Sequence, residues 1–149
     1  MPVDTGYAGR VYPPNAVYEV GREHLRSFAA AVGAQHPAHT DVEAARALGY
    51  PDVVAPPTFA VVVAQRAEAQ LFEDPAAGID FSRVVHADER FTHHRPVHAG
   101  DRLVTVLHVD SIVERAGLAM ITTRAEITAE DGEAVATVVS TLAVRPEES

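Results

Sequence analysis

The apolar residues of the first third of the chain follow helical spacing over residues 22–32. The positions i, i+3, i+4 and i+7 of this helical face are Leu25, Phe28, Ala29 and Val32. Gly33 is a natural helix stop, and Asp41 can cap a second short helix over residues 42–48. A strand-like run, residues 16–20, precedes the first helix.

Residues 53–72 carry two conflicting signals. Three consecutive valines, at 61–63, favour a strand, because β-branched residues pack well on a pleated sheet. Pro56-Pro57-Thr58 is a helix-start signal, however, and helix formers follow it. A long apolar run without alternation fits a helix that is buried nearly all round. The sequence therefore predicts a buried helix over residues 58–72.

The second half of the chain changes to β-type patterns. A loop over residues 73–80 precedes four strand-like runs: 83–94, 102–113, 118–128 and 134–144. Two short connections are typical of hairpins, the second through Asp131-Gly132. Helices followed by an antiparallel meander indicate an α+β fold. We expect a single domain over residues 1–149, with the long helix across the concave face of the sheet.

Composition narrows the classes of function. The 149 residues are 47% hydrophobic, enough for a real core, and contain no cysteine, which excludes disulfides, thiolate metal sites and a Cys nucleophile. The formal net charge of −9 argues against a nucleic-acid partner. Neither a signal peptide nor an 18-residue apolar stretch is present, so we expect a cytoplasmic protein without a membrane segment.

Candidate chemistry concentrates at two turns. A histidine beyond a proline turn, as in residues 33–41, is well placed to enter a cleft, although surface loops also collect such residues. The turn at residues 54–59 either only starts the buried helix or also holds a ligand at the helix N-terminus, where its two prolines lack an N–H.

Other chemistry finds little support. In a strand His93 and His94 point to opposite faces, so with His86 and His98 they favour polar surface over a metal site. Gly100-Asp101 is typical of a turn. The sequence has no G-x-S-x-G motif and no lysine, which removes the usual hydrolase and phosphate-loop signatures.

Six segments of the chain carry a recognisable pattern: residues 12–14, 18–23, 33–41, 55–59, 95–97 and 99–103. In their order and spacing, these segments together resemble the MaoC-like and (R)-specific enoyl-CoA hydratase superfamily. The similarity is greatest to small dehydratase-like proteins related to (3R)-hydroxyacyl-ACP dehydratase subunits, the FAS1-like dehydratase domain.

The resemblance implies a hot-dog fold, in which a sheet wraps around the long helix, and a dimer with acyl-thioester pockets at its interface. The family's active-site pattern, Gly-Asp-x-Asn-Pro-x-His, hydrates trans-2-enoyl thioesters reversibly through its Asp and His. A backbone N–H near the start of the central helix polarises the thioester carbonyl. No cofactor or metal is expected.

The sequence departs from that pattern. His39 falls on the catalytic histidine, but Ala34 stands at the aspartate position and His36 at the asparagine position. Pro57, which lacks an N–H, occupies the position of the backbone donor. The resemblance implies substrate contacts by His36, Pro37, Ala55, Pro56, Pro57, Thr58 and Phe59.

Three hypotheses follow. The leading one is the acyl-binding subunit of a dehydratase system, paired with a catalytic hot-dog partner and contacting acyl-CoA or acyl-ACP. The second is an autonomous homodimeric hydratase or dehydratase that uses His39. The third is a non-catalytic acyl-CoA-binding homodimer. A thioesterase that uses Glu68 is disfavoured, because we expect Glu68 on a solvent-facing side of the helix. A local basic patch of Arg90, Arg95 and Arg102 would favour an acidic carrier.

Overall fold

A computed structural model describes residues 3–146 of the chain. Its three helices are α1 (Arg22–Val32), α2 (Val42–Ala47) and α3 (Ala60–Phe72). Its five strands are β1 (Tyr18–Glu19), β2 (Val84–His93), β3 (Arg102–Arg115), β4 (Leu118–Ala129) and β5 (Ala134–Val144). The predicted α+β class is confirmed.

All five strands belong to one antiparallel sheet with the order β1-β3-β4-β5-β2. The sheet curls around α3, which packs against β3, β4 and β5. Alternate residues of β3, β4 and β5 are buried, because successive side chains of a strand point to opposite faces and only one face meets the helix. This arrangement confirms the predicted hot-dog fold.

The core lies between α3 and the inner face of the sheet. Its fully buried large apolar side chains include Phe59, Leu71, Leu103, Leu107, Ile121, Ile127 and Leu142. β2 is mostly exposed and forms one edge of the sheet. Within residues 3–146, none of the helices has the length and apolar character of a transmembrane span.

Element boundaries differ slightly from those predicted. A 3-10 turn, Pro57–Phe59, precedes α3, so the regular helix begins at Ala60 rather than at Thr58. Two consecutive prolines fix their own backbone and lack donors, which delays the first regular helical hydrogen bonds. The first strand is limited to two residues, and α2 ends one residue early, at Ala47.

Candidate functional site around His39

His39 lies on a 3-10 turn, Pro37–His39, which connects α1 to α2. The turn begins at Pro37, and the Nδ1 of His36 accepts a hydrogen bond from the Ala38 backbone N–H at 3.1 Å. Asp41 caps α2 as predicted, since its carboxylate accepts from the N–H of Glu43 at 2.9 Å. Local capping thus holds His39 between two helices.

Backbone contacts with the segment before α3 fix the orientation of His39. The Val54 N–H donates to the Ala38 carbonyl at 2.9 Å, and Nδ1 of His39 lies 2.6 Å from the Val54 carbonyl oxygen. Because a carbonyl only accepts, Nδ1 carries the proton in this bond, and Nε2 of the neutral ring is left as an acceptor. His39 is therefore oriented as a base or acceptor.

The segment around Val97 and His98 pairs with the segment before α3 and forms a second turn at the site. Val54 forms a β-bridge with His98, and the Ala55 N–H donates to the Val97 carbonyl at 2.7 Å. The turn after Val97 is held by Asp101, whose buried carboxylate accepts two hydrogen bonds from Arg95, each at 2.9 Å. Asp101 is the main reason that the pKa of Arg95 is raised. The predicted turn at Gly100-Asp101 is thus confirmed, and it also anchors the site.

These turns enclose a cavity of about 480 Å³, hereafter the His39 cavity. It is lined by His39, Tyr50, Val54, Ala55, Pro56, Pro57, Ala60, His93, His94, Arg95, Pro96 and Val97. No aspartate or glutamate belongs to this lining. The cavity offers apolar walls, three histidines and one arginine that is already paired.

Four of the site residues expected from the resemblance line this cavity: His39, Ala55, Pro56 and Pro57. Ala34 lies just after the end of α1, and its backbone N–H donates a hydrogen bond to the Ala29 carbonyl at 2.8 Å. Phe59 is fully buried, with its ring about 5 Å from those of His24 and Phe28. His36, Pro37 and Thr58 lie on the adjacent turns, outside the cavity lining.

The prediction that His93 and His94 are surface residues is confirmed, since both are exposed, but sequence reasoning did not place them at the candidate site. β2 ends at His93, and both residues line the His39 cavity. Nε2 of His93 lies 2.8 Å from the Pro57 carbonyl oxygen, which ties the end of β2 to the start of α3. Only the pairing of distant turns brings these histidines to His39, so a local pattern had no signal for it.

Two expectations about charge were wrong. Glu68 is 1% exposed and faces the sheet, whereas we expected it at solvent. Arg90, Arg95 and Arg102 form no free basic patch, because Arg90 pairs with Asp88, Arg95 with Asp101 and Glu133, and Arg102 with Glu19 and Glu130. His86 lies in a different cavity from His93 and His94, and the described part of the chain contains no group of side chains placed to hold a metal.

Comparison with known proteins decides the family. The FAS1-like dehydratase domain region matches residues 7–138, almost the whole chain. The chain belongs to this family. The resemblance inferred from the sequence is therefore confirmed.

Three similar proteins illustrate the range of the family. A UPF0336 protein of Saccharopolyspora erythraea is 56% identical over 145 residues, 97% of this chain and 93% of that protein. The crystal structure of a C-terminally truncated HadBC (3R-hydroxyacyl-ACP dehydratase) complex from Mycobacterium tuberculosis contains a similar chain. The two chains share 38% identity and a TM-score of 0.83, over 96% of this chain and 99% of that one. A MaoC-like dehydratase shares 36% identity and a TM-score of 0.85, over 94% of this chain but 42% of that longer one.

Proposed function

We propose that this protein is the acyl-binding subunit of a (3R)-hydroxyacyl-thioester dehydratase or trans-2-enoyl hydratase system of fatty-acid metabolism. A hot-dog partner with an intact Asp/His pair carries the chemistry. The observation that supports this most directly is the His39 cavity, which has a histidine oriented as a base but no carboxylate in its lining.

The chemistry explains why such a site is a poor catalyst by itself. Hydration of an enoyl thioester needs one group to activate water and another to exchange a proton with the α-carbon, and losing one of them costs about 10²–10⁴ in rate. The resemblance places the oxyanion donor at Pro57, or at Pro56 after a shift by one residue, and neither has an N–H; one such donor is worth about 10²–10³ in rate. The first N–H after them belongs to Thr58.

The His39 cavity is nevertheless suitable for binding an acyl thioester. Its apolar lining, which includes Val54, Ala55, Ala60 and Val97, fits an alkyl chain, while the imidazoles offer hydrogen bonds to a thioester or hydroxyl oxygen. The similarity to a chain of the HadBC complex, a heteromeric (3R)-hydroxyacyl-ACP dehydratase, supports pairing with a second hot-dog subunit.

A second candidate, an autonomous hydratase, is favoured by one observation. His93 and His94 line the cavity together with His39, so a second titratable group is available in the same cavity. In this alternative the protein works as a homodimer, and His39 exchanges a proton with one of these imidazoles through the substrate or a water.

An assay of the hydration of short- and long-chain trans-2-enoyl-CoA, monitored through the loss of enoyl absorbance, distinguishes the acyl-binding subunit from the autonomous hydratase. We expect no turnover by the isolated protein, and turnover by its complex with an intact hot-dog partner that is unchanged by His39→Ala. His98→Ala is a matched control, because its Nδ1 contacts the Ala99 carbonyl outside the cavity. Turnover by the isolated protein that is lost in His39→Ala would establish the autonomous enzyme instead. The absence of turnover in every complex would reject both functions and favour a non-catalytic acyl-CoA-binding protein.

Acyl binding is tested separately by calorimetry with a saturated acyl-CoA. Ala60→Val narrows the His39 cavity and is expected to weaken binding several-fold. Ala69→Val is the matched control, since Ala69 lies on the same helix and lines a different cavity. Equal effects of the two substitutions would place the acyl chain elsewhere.

A further inference from the structure

A polar row crosses the inner face of the sheet beneath the middle of α3. Thr123 of β4 pairs in register with Ser140 of β5, and Ser140 pairs with Glu89 of β2. Directly opposite residues of antiparallel strands share a face, so all three side chains point toward α3. From α3, Glu68 enters the same region and is 1% exposed, while Thr123 and Ser140 are equally buried.

In each of the two carboxylates, Glu68 and Glu89, only one oxygen has a hydrogen-bond partner among the described residues. The Ser140 hydroxyl donates to Oε2 of Glu89 at 2.8 Å, and the Thr123 hydroxyl lies 3.4 Å from Oε1 of Glu68. The other two oxygens, Oε2 of Glu68 and Oε1 of Glu89, are buried without a hydrogen-bond partner among residues 3–146. An unpaired buried carboxylate oxygen is strongly unfavourable.

Neither carboxylate has an ion-pair partner in the described part of the chain, although His86 acts electrostatically on Glu68. Within residues 3–146, neither Glu68 nor Glu89 forms an ion pair with an arginine or a histidine. A neighbouring cavity of about 410 Å³ is lined by Glu68, His86 and Glu73, but the two unpaired oxygens expose no surface to it. A proton shared within the pair would supply the missing donor, because strand register places Glu89 beside Ser140 and the charge of Glu89 acts on Glu68.

We propose that Glu68 and Glu89 hold one proton between them, so that a carboxyl–carboxylate hydrogen bond joins α3 to the edge strand β2. One shared proton gives each unpaired oxygen a partner and removes one of two like charges from the core. Burial, followed by the charge of Glu89, raises the pKa of Glu68, while Ser140, His86 and Thr123 oppose the shift. The remaining charged side chain of the cavity wall, Glu73, is exposed.

This bond makes stability depend on pH in a defined direction. Because the pKa of Glu68 is raised on folding, the folded protein keeps a proton that the unfolded chain releases above the ordinary value of 4.5. The free energy of unfolding therefore falls as pH rises from that value to the pKa of the folded state. For one proton, the folding constant falls up to about tenfold per pH unit in this window.

Urea unfolding of the full chain between about pH 5 and pH 9 tests the proposal, with wild type, Glu68→Gln and Glu73→Gln compared. An amide at position 68 donates to Glu89 at every pH. The folding constant of Glu68→Gln relative to wild type should therefore rise with pH, by up to about tenfold per unit. The same ratio for Glu73→Gln should be flat, because Glu73 is an exposed acid on the wall of the same cavity.

Parallel pH profiles of Glu68→Gln and wild type would overturn the shared proton. If Glu68→Gln fails to fold, Glu89→Gln restores a donor from the other side and is expected to show the same rising ratio. Infrared difference spectra of the wild type provide a readout that needs no folded variant. A carboxylic-acid C=O band from ¹³C-labelled glutamate at neutral pH is expected, and its absence would also overturn the proposal.

Discussion

The two halves of helix α3 face cavities of opposite chemistry. At its N-terminal end, the His39 cavity is open and collects three imidazoles, with no aspartate or glutamate in its lining. Two turns further along, Glu68 brings a carboxyl group into the core beside Glu89, and the wall of the neighbouring cavity carries the exposed side chains of His86 and Glu73. The chain thus has carboxylates under the middle of the helix and none at the site where the family uses one.

The difference shows why the presence of an acid is a poor guide to catalysis. The unpaired oxygens of Glu68 and Glu89 are closed to solvent, so their charge state concerns folding rather than a substrate. The Nε2 of His39, by contrast, is left as an acceptor beside an open cavity, whose lining contains two other imidazoles but no carboxylate. A reactive site needs both access for a substrate and a second proton-transferring group in the same cavity. A buried acid without such access serves the structure alone.

The largest expected effect comes from restoring the missing groups at the N-terminal end. In a Pro57→Ala background, Ala34→Asp should raise the rate of trans-2-enoyl-CoA hydration by the isolated protein about 10²–10⁴-fold. Ala34→Asn in the same background is the matched control, because an amide cannot take the proton. Equal rates for the Asp and Asn variants would show that the missing carboxylate is not what silences the site.

A somewhat smaller effect is expected at the residue that immediately precedes α3. Phe59 is fully buried against Tyr18, His24 and Phe28, so Phe59→Ala should lower the free energy of unfolding by about 3–5 kcal/mol. Phe81→Ala is the control at the Glu68 end, where the ring is 62% exposed and lies tilted against the ring of Phe72, and should cost about 1 kcal/mol. Urea unfolding measures both, and similar losses would contradict the assignment of Phe59 to the core.

The smallest effect concerns the anchor beneath the His39 cavity. Asp101→Asn leaves the Arg95 guanidinium without its buried carboxylate and should lower the free energy of unfolding by about 1–3 kcal/mol. Glu133→Gln removes the exposed partner of the same arginine and should cost less than about 1 kcal/mol. A reversed order in urea unfolding would mean that the exposed pair, not Asp101, holds the turn.

Local patterns carried most of the fold. The spacing of Leu25 and Phe28 predicted α1 with both ends correct, and the β-like runs and hairpin connections of the second half predicted four strands close to their observed bounds. The Pro56-Pro57 signal correctly favoured a helix over the three valines, although the helix starts two residues later. These features depend on residues close together in the chain, which is why a single sequence suffices for them.

In the candidate site too, the residues found from the sequence belong to short segments, whereas those that were missed depend on long-range contacts. His39 and the turn before α3 were identified from segments of the family pattern, and both line one cavity. His93 and His94 join them through the bridge between Val54 and His98, a contact over more than forty residues with no local signature. Glu68 was misplaced because helical spacing tells which residues share a face, but not which face a sheet will cover.

By itself, the sequence determined the α+β class and the family, and the resemblance predicted that Ala34 and Pro57 stand where the family's pattern has an acid and an N–H donor. Those are properties of residue type and order, and no folding can add a carboxylate to Ala34 or a proton to the nitrogen of Pro57. Only the tertiary structure decided which histidines share the His39 cavity and that Glu68 meets Glu89 in the core. Both depend on strand register and on the packing of α3 against the sheet, which long-range burial of apolar surface fixes.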